Sequence, residues 1–419
     1  MNTCQSTNPE RTAFVSGTIQ DWKQKTVEDV AVTAMDNMEM MTQADGFYNF
    51  ELAMNNPYTI QPQKNDQPLN GVSTFDLVLI SKHILGITTF DNPYQMIAAD
   101  ANKSGTITAF DMVQIRQLIL NINTEFINNE SWRFVDANYI FTTENPMTET
   151  FPEVIQIENL EQDMEMNFVA VKVGDVNGNA RTNSLVQAEE RTTASTFEIT
   201  TEDEVLKAGE TYRFAFTTKQ LNQIQGYQFT LQYENLSVEK LNSGVAGIEN
   251  FGLHKMTEGI ITTSWNKSAN GNQQETGDNE SIIELFNIEF TALKDGPLSE
   301  QLSLISQPTT IEAYDQDGNL MDVQLTFTTP LLNDKFELFQ NQPNPFHDRT
   351  TIGFYLPNDS EVQLILRDET GRILKTIKDN RNQGYNVINL DKAQLTNGFI
   401  YYQLTTKFGT KAKKMLRLK

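Results

Sequence analysis

The sequence predicts a multidomain, mainly β chain: several β-sandwiches plus one small α-helical module. Three observations lead there. The length of 419 residues exceeds what one hydrophobic core usually holds, so three or four domains are expected. Apolar residues recur at period two over most of the chain, the pattern of strands with one face buried. One region alone changes to steps of three and four, and there the pattern occurs twice.

Residues 12–62 read as short strands, "FVSGTI", "VAVTAMD", "TQADGFYNFEL" and "YTIQPQK", with Asp45-Gly46 as a turn signal. Phe47, Tyr48 and Phe50 are assigned to the core rather than to an exposed sugar platform. The order of strand, variable segment, "ADGFYNF" and "YTI" resembles the carboxypeptidase-regulatory-like, or carbohydrate-binding-like, β-sandwich that precedes many secreted modules.

Residues 63–123 carry the repeat. In "DANKSGTITAFDMVQIRQLIL", Asp100, Asn102 and Ser104 stand at positions 1, 3 and 5 of a twelve-residue loop, and Gly105 is at 6. Thr106 would offer its carbonyl at 7, Thr108 its side chain at 9, and Asp111 closes the loop at 12. A hard cation such as Ca²⁺ needs six to eight oxygens, and this spacing delivers them around one tight turn. A metal-free, Asx-rich helix cap is the competing reading. Met112, Ile115, Ile119 and Ile122 then form one apolar helical face. Thirty-five residues earlier "VSTFDLVLISKHILGI" aligns with "ITAFDMVQIRQLILNI".

Paired loop-helix units of this kind resemble the type I dockerin module, over roughly residues 65–123. That resemblance implies duplicated calcium half-hands and docking onto a cohesin-like domain, of this chain or another. The first half departs from the pattern. With Ser73 at 9 and Asp76 at 12, positions 1, 3 and 5 fall on Asn65, Gln67 and Leu69, and a leucine cannot coordinate calcium. Downstream, "VKVGDVNGNA" presents Asp175, Asn177 and Asn179, the missing opening of such a loop. A split, permuted site is therefore expected, in which a strand-rich extension over 124–180 returns to the helices; a plain polar turn is the alternative.

Residues 181–195, including "TNSLVQAEERTT", read as a linker. From 196 to 330 the alternation is strong: "TYRFAFT" puts Tyr212, Phe214 and Phe216 on one face, and "YQFTLQY" opposes Tyr227, Phe229, Leu231 and Tyr233 to glutamines and a threonine. "SIIELFNIEFTAL" is apolar on both faces and is expected to be a central strand. "GYQFTLQYENLSVEKL" resembles a strand pair of cohesin domains. Asp315, Asp317 and Asn319 in "YDQDGNL" are read as a hairpin turn rather than a metal site.

Residues 331–419 form the last module. "QNQPNPF", "TTIGFYLP", "VQLILRDETGR", "LTNGFIYYQL" and the closing "KKMLRLK" follow one another in an order that resembles the type A C-terminal sorting domain of type IX secretion substrates from Bacteroidetes-type bacteria. The resemblance implies a small sandwich of about seven strands, read as an address by the secretion machinery and then usually removed as the protein is attached to the surface or released.

Charge divides the chain the same way. The formal net charge is −23; from Leu331 onward 14 Lys+Arg face 9 Asp+Glu, or +5, leaving 18 against 46, or −28, before it. The acidic body disfavours nucleic acid and anionic membranes as partners. The lone cysteine, Cys4, excludes a disulfide framework, and His83, His254 and His347 are scattered. No apolar run approaches the roughly 18 residues of a membrane span. The start lacks a basic-then-apolar leader, so a missing upstream region is expected for a protein that otherwise reads as secreted. No nucleophile elbow, P-loop or dinucleotide fingerprint is present. The expectation is a non-catalytic protein, secreted or attached to the surface of a Gram-negative bacterium, using Ca²⁺-dependent modules for assembly or adhesion. Its partners would be the type IX machinery and a cohesin-like domain or a surface glycan. The alternative is the accessory tail of a polysaccharide-degrading enzyme.

Overall fold

In the computed structural model, the described residues are 11–35, 38–143, 145–185, 195–267, 282–328, 336–341, 343–392 and 395–418. They fall into two compact units, 1–201 with 205–326, and 202–204 with 327–419.

Alternation along β1 (Thr12–Asp21) sends Ala13, Val15 and Ile19 inward while Thr12, Phe14 and Gln20 face out. It is followed by β2 (Ala31–Met35), β3 (Met38–Met41), β4 (Phe47–Ala53) and β5 (Tyr58–Gln63). These strands leave a core open on one side. It is closed by β6 (Trp132–Asp136), β7 (Ile155–Ile157), β8 (Met164–Glu165) and β9 (Phe168–Lys172). One sheet runs β4-β1-β9-β6 with β8 against β1, and the other runs β3-β2-β5-β7. Trp132, Phe134 and Phe168 share one buried cluster with Val15, Tyr48 and Ile60. The segment 124–180 is thus more than an extension: it supplies four of the nine strands of the first sandwich. The boundaries at 62/63 and 123/124 enclose an insertion between β5 and β6. A second correction concerns Phe47, which is 48% exposed while Tyr48 and Phe50 are buried, because adjacent strand residues point to opposite faces.

The insertion holds α1 (Thr74–Ile84), α2 (Pro93–Ala99) and α3 (Ala109–Ile119). Leu77, Ile80, Ile97, Ile115, Leu118 and Ile119 pack with Val171, Val173 and Val176 from the end of β9 and beyond. Ile115 and Ile119 sit in this core as the periodicity requires, whereas Ile122 is 44% exposed. The helix stops before it, and Asn121 has a left-handed φ of 56°.

The second sandwich contains β10 (Thr196–Glu202), β11 (Val205–Leu206), β12 (Thr211–Thr218), β13 (Ile224–Tyr233), β14 (Leu236–Ser243), β15 (Phe251–Gly252), β16 (Ile260–Asn266), β17 (Ile283–Ala292), β18 (Gly296–Pro297), β19 (Leu302–Ile305), β20 (Glu312–Asp315) and β21 (Leu320–Thr328). The strand order is β14-β17-β12-β10-β21-β20-β13-β16-β15, with β19 also on β13 and β11 pairing β18. The doubly apolar β17 lies between β14 and β12, as its composition implies. Asp315 makes the hairpin between β20 and β21, its Oδ1 accepting the N–H groups of Asp317 (2.9 Å) and Asn319 (2.8 Å).

The other unit is a seven-stranded sandwich. One sheet pairs β22 (Glu337–Leu338), β23 (Arg349–Leu356) and β26 (Gly384–Asp391); the second runs β25 (Ile373–Arg381), β24 (Ser360–Asp368), β27 (Gly398–Thr406) and β28 (Gly409–Arg417). Phe346, Phe354, Leu364 and Tyr402 centre its core. Of the expected linker, residues 186–194 lie outside the described residues.

Candidate metal loops and docking face

Both loop-helix units start from the same cap. Ser73 and Thr108 lie in extended backbone before α1 and α3, and each hydroxyl accepts the N–H two residues on, from Phe75 and Phe110 at 3.2 Å. Asp76 and Asp111, one turn in, reach back to the cap N–H at 2.9 and 2.8 Å. These capping boxes satisfy helix-end donors and place a carboxylate at the mouth of each loop.

In the contiguous loop, Asp100 Oδ1 accepts from Ser104 N (2.9 Å) and Oδ2 from Gly105 N (2.9 Å). Asn102 Oδ1 accepts from Ser104 N at 3.0 Å, and Asp111 Oδ1 accepts from Asn102 N at 3.2 Å. Ser104 Oγ lies 3.2 Å from the Thr106 carbonyl. Asp100, Asn102, Ser104, Thr106, Thr108 and Asp111 therefore belong to one turn. Gly105, with φ of 78°, occupies its left-handed position.

The same network recurs across a gap of a hundred residues. Asp175 Oδ1 accepts from Asn179 N (3.2 Å) and Oδ2 from Ala180 N (2.8 Å), while Asn177 Oδ1 accepts from Asn179 N (3.1 Å). Asp76 Oδ1 takes the N–H of Val176 at 2.9 Å and of Asn177 at 3.4 Å. Asp175, Asn177, Asn179 and Asp76 stand to one another as Asp100, Asn102, Ser104 and Asp111 do. Reciprocal bonds join the two pieces: Arg181 N donates to Asn70 Oδ1 (2.9 Å), and Asn70 Nδ2 to the Arg181 carbonyl (2.7 Å). Gly71 allows the approach, since a Cβ there would lie 2.7 Å from Ala180 Cα and 2.8 Å from Asp175 Oδ2. Asn65, the contiguous candidate for position 1, instead accepts from Ser131 N at 2.8 Å.

Calcium fits this donor set. All eleven predicted ligand positions carry oxygen, and Asp76, Asp100, Asp111 and Asp175 are at most 1% exposed. Among the described residues none of these four makes a salt bridge, and no three His, Cys, Asp or Glu side chains converge on a metal position. Each loop would hold the cation with two carboxylates and neutral oxygens. Burial, then the charge of Asp175, pushes the Asp76 carboxyl well above its usual range. Burial raises Asp175 and Asp111 as well. Nearby, the Lys172 ammonium donates to the Pro68 (2.8 Å) and Val173 (3.1 Å) carbonyls, and burial pushes its pKa down to about 7. A divalent cation would favour the charged form of the carboxylates.

The helices do not end at their own core. The outer face of β13, expected to be half-buried, is covered: Gln228 is 3% and Thr230 0% exposed. Thr74 N donates to Gln228 Oε1 at 2.7 Å, and the Thr74 and Ser264 hydroxyls lie 2.7 Å apart. Phe75 stacks on Tyr314 with centroids 4.9 Å apart. At the far end of α3, where helix carbonyls lack intrahelical donors, Thr309 Oγ1 donates to the Ile119 carbonyl and Thr262 Oγ1 to that of Leu120, both at 2.6 Å. Arg116 Nη2 donates to Asn266 Oδ1. Two glycines let the backbones close: a Cβ at Gly226 would meet Thr74 Cγ2 at 2.9 Å, and one at Gly252 the Leu120 carbonyl oxygen at 2.5 Å. Sequence reasoning did not find this face. Its signal is a lack of charge: "GYQFTLQY" and "IITTSW" carry polar outer residues but no Lys, Arg, Asp or Glu, unlike a strand left to solvent.

Residues 70–120 match the Dockerin type I domain family, so the helical module is similar to dockerins. No curated protein matches the chain. Among solved structures, it is similar to a type I cohesin–dockerin complex from Clostridium thermocellum, at 18% identity over 32% of this chain and 95% of that one, with a TM-score of 0.24. The seventh ScaB type I cohesin of Pseudobacteroides cellulosolvens is 16% identical over 32% of this chain and 88% of its own, with a TM-score of 0.23. A type II cohesin dyad from the ScaA scaffoldin of Acetivibrio cellulolyticus is 12% identical over 52% and 92%, with a TM-score of 0.24.

Proposed function

We propose that this is a non-catalytic assembly or adhesion protein, in which a calcium-dependent dockerin-like module works against a cohesin-like sandwich and the C-terminal module directs type IX export to the surface or medium. The observation that carries the assembly reading is the polar, uncharged face of β13 and β16, hydrogen-bonded to both ends of a duplicated loop-helix unit. The dockerin match over residues 70–120 and the cohesin resemblance of "GYQFTLQYENLSVEKL" support it. The export reading is supported by the motif order of residues 336–419 and by seven strands in two sheets.

Calcium titration of the full chain by calorimetry tests the first part. Two events are expected, and their dissociation constants should be on the order of 10⁻⁴ to 10⁻³ M, the range of extracellular modules. An athermal titration with an unchanged melting temperature would contradict it. The second part is tested by placing residues 336–419 behind a Sec leader and a fluorescent reporter in a bacterium with type IX secretion. The reporter should reach the surface or medium, and deleting residues 411–419 should strand it in the periplasm. Equal export without the module would defeat that reading.

A further inference from the structure

Resting on the assembly reading above, we propose that the partner of the helical module is the second sandwich of the same chain, and that calcium in the split loop keeps that face closed to other chains.

The face is already filled. Thr74, Gln228, Thr230, Thr262, Ser264 and Thr309 are all at most 3% exposed. Thr74 bonds Gln228 and Ser264, Thr262 and Thr309 donate to helix-end carbonyls, and Gln228 Nε2 and Thr230 Oγ1 donate to the Thr310 and Thr309 carbonyls of the sandwich itself. A foreign module of the same kind would have to displace the resident one. Tethering strengthens the resident: a short connection gives an effective concentration on the order of 1 mM, so a competitor for a contact of about 1 μM intrinsic affinity is weakened roughly 1,000-fold.

The link to calcium runs through four consecutive residues. Ser73 and Asp76 turn into the split loop, Ser73 Oγ lying 3.1 Å from Asp76 Oδ2. Between them, Thr74 and Phe75 turn outward, onto Gln228 and Ser264 and onto Tyr314. The first turn of α1 is therefore shared by the loop and the interface. Without a cation the buried Asp76 and Asp175 are held by backbone N–H groups, from Ser73 and Val176 and from Gly178 and Ala180; a cation seated between them would tie the two pieces of the loop together and fix the helix start on which docking depends. The contiguous loop lacks this route at its helix start, because Phe110, which corresponds to Phe75, is 64% exposed, and α3 meets the sandwich through Arg116 and its far end instead.

The test uses the full chain with a protease recognition sequence substituted within residues 186–194. The uncut chain should be a monomer in light scattering, and a stable dimer would overturn docking within one chain. After cleavage the two pieces should co-elute in calcium at 1 μM and separate in chelator, with apparent affinity falling at least tenfold. Asp175→Asn should separate them even in calcium. Thr262→Arg should separate them while both calcium events remain, which guards against a folding defect in the loop. Pieces that part in calcium while calcium still binds would overturn self-docking and leave the module seeking a partner elsewhere. Equal association with and without calcium would overturn the metal's part. Absence of any calcium event on the uncut chain would instead defeat the reading on which this one rests.

Discussion

The two loops make the same hydrogen bonds from differently wired chain. In the contiguous loop, Asp100 and Asp111 are eleven residues apart; in the split one, Asp76 and Asp175 are ninety-nine apart and meet because β9 returns to the helices. Closing a local loop costs little entropy, whereas the long return must be held by other contacts: Val171, Val173 and Val176 in the module core, and the Asn70–Arg181 pair. The helices that follow have also diverged. Thr74 is fully buried against the second sandwich, while Phe110 and Val113 of the other copy stand in solvent at 64% and 44% exposure. A duplicated unit has kept its loop chemistry twice and put only one helix start into the interface.

The largest effect that can break this comparison is expected at the split loop. In calcium, Asp175→Ala leaves the buried N–H groups of Gly178 and Ala180 without their acceptor, while Asn179 N keeps Asn177 Oδ1. At roughly 1 to 3 kcal/mol for each buried unsatisfied group, the loss should be about 2 kcal/mol or more, read as a lower denaturation midpoint and one missing calcium event. Asp100→Ala should remove the other event with a smaller loss, since its partners Ser104 and Gly105 are more open to water.

Next in size is Thr262→Val, which strips the Leu120 carbonyl of its donor and should cost about 1 to 3 kcal/mol in denaturant melts with calcium binding unchanged. Acidity should give a gentler signal. Asp76, Asp111 and Asp175 hold their protons above the ordinary value of 3.8, so at these three groups the metal-free fold binds more protons than the unfolded chain. Their contribution is greatest below that value and is lost as pH rises through the raised folded values. Measured as parent minus Asp76→Asn in chelator, stability should fall on going from pH 4 to 7, and calcium should flatten the slope. The smallest effect is expected for Phe110→Ser, within about 0.5 kcal/mol, because the ring is exposed.

Much of this was legible because it is local. Loop positions 1 to 12, the helix caps and the strand alternation are short-range patterns, and they point to the turn that precedes α3, to α3 itself, to β13 and to β17. Spacing and residue type point to the segment that returns to the first loop, since Leu69 cannot bind a cation and Asp175, Asn177 and Asn179 carry oxygen, with a plain polar turn as the alternative. Long-range partnership was harder. Trp132 and Phe168 look like any strand residues until β1 offers an edge to β9 and β9 one to β6, a pairing that no short-range pattern announces. Three aromatics in four residues suggest a core, whereas the pleat buries Tyr48 and Phe50 and turns Phe47 outward. The docking face escaped because threonine and glutamine are as common on wet strands as on hydrogen-bonded interfaces.

Hydrogen exchange on the intact chain, with and without calcium, tests the central claim most directly. If the split loop holds calcium and steadies the docked helix start, calcium should slow exchange together in three places distant in sequence: residues 175–180, the first turn of α1, and β13 with β16. Protection confined to the contiguous loop at 100–111, with the other three segments unchanged by calcium, would contradict the account.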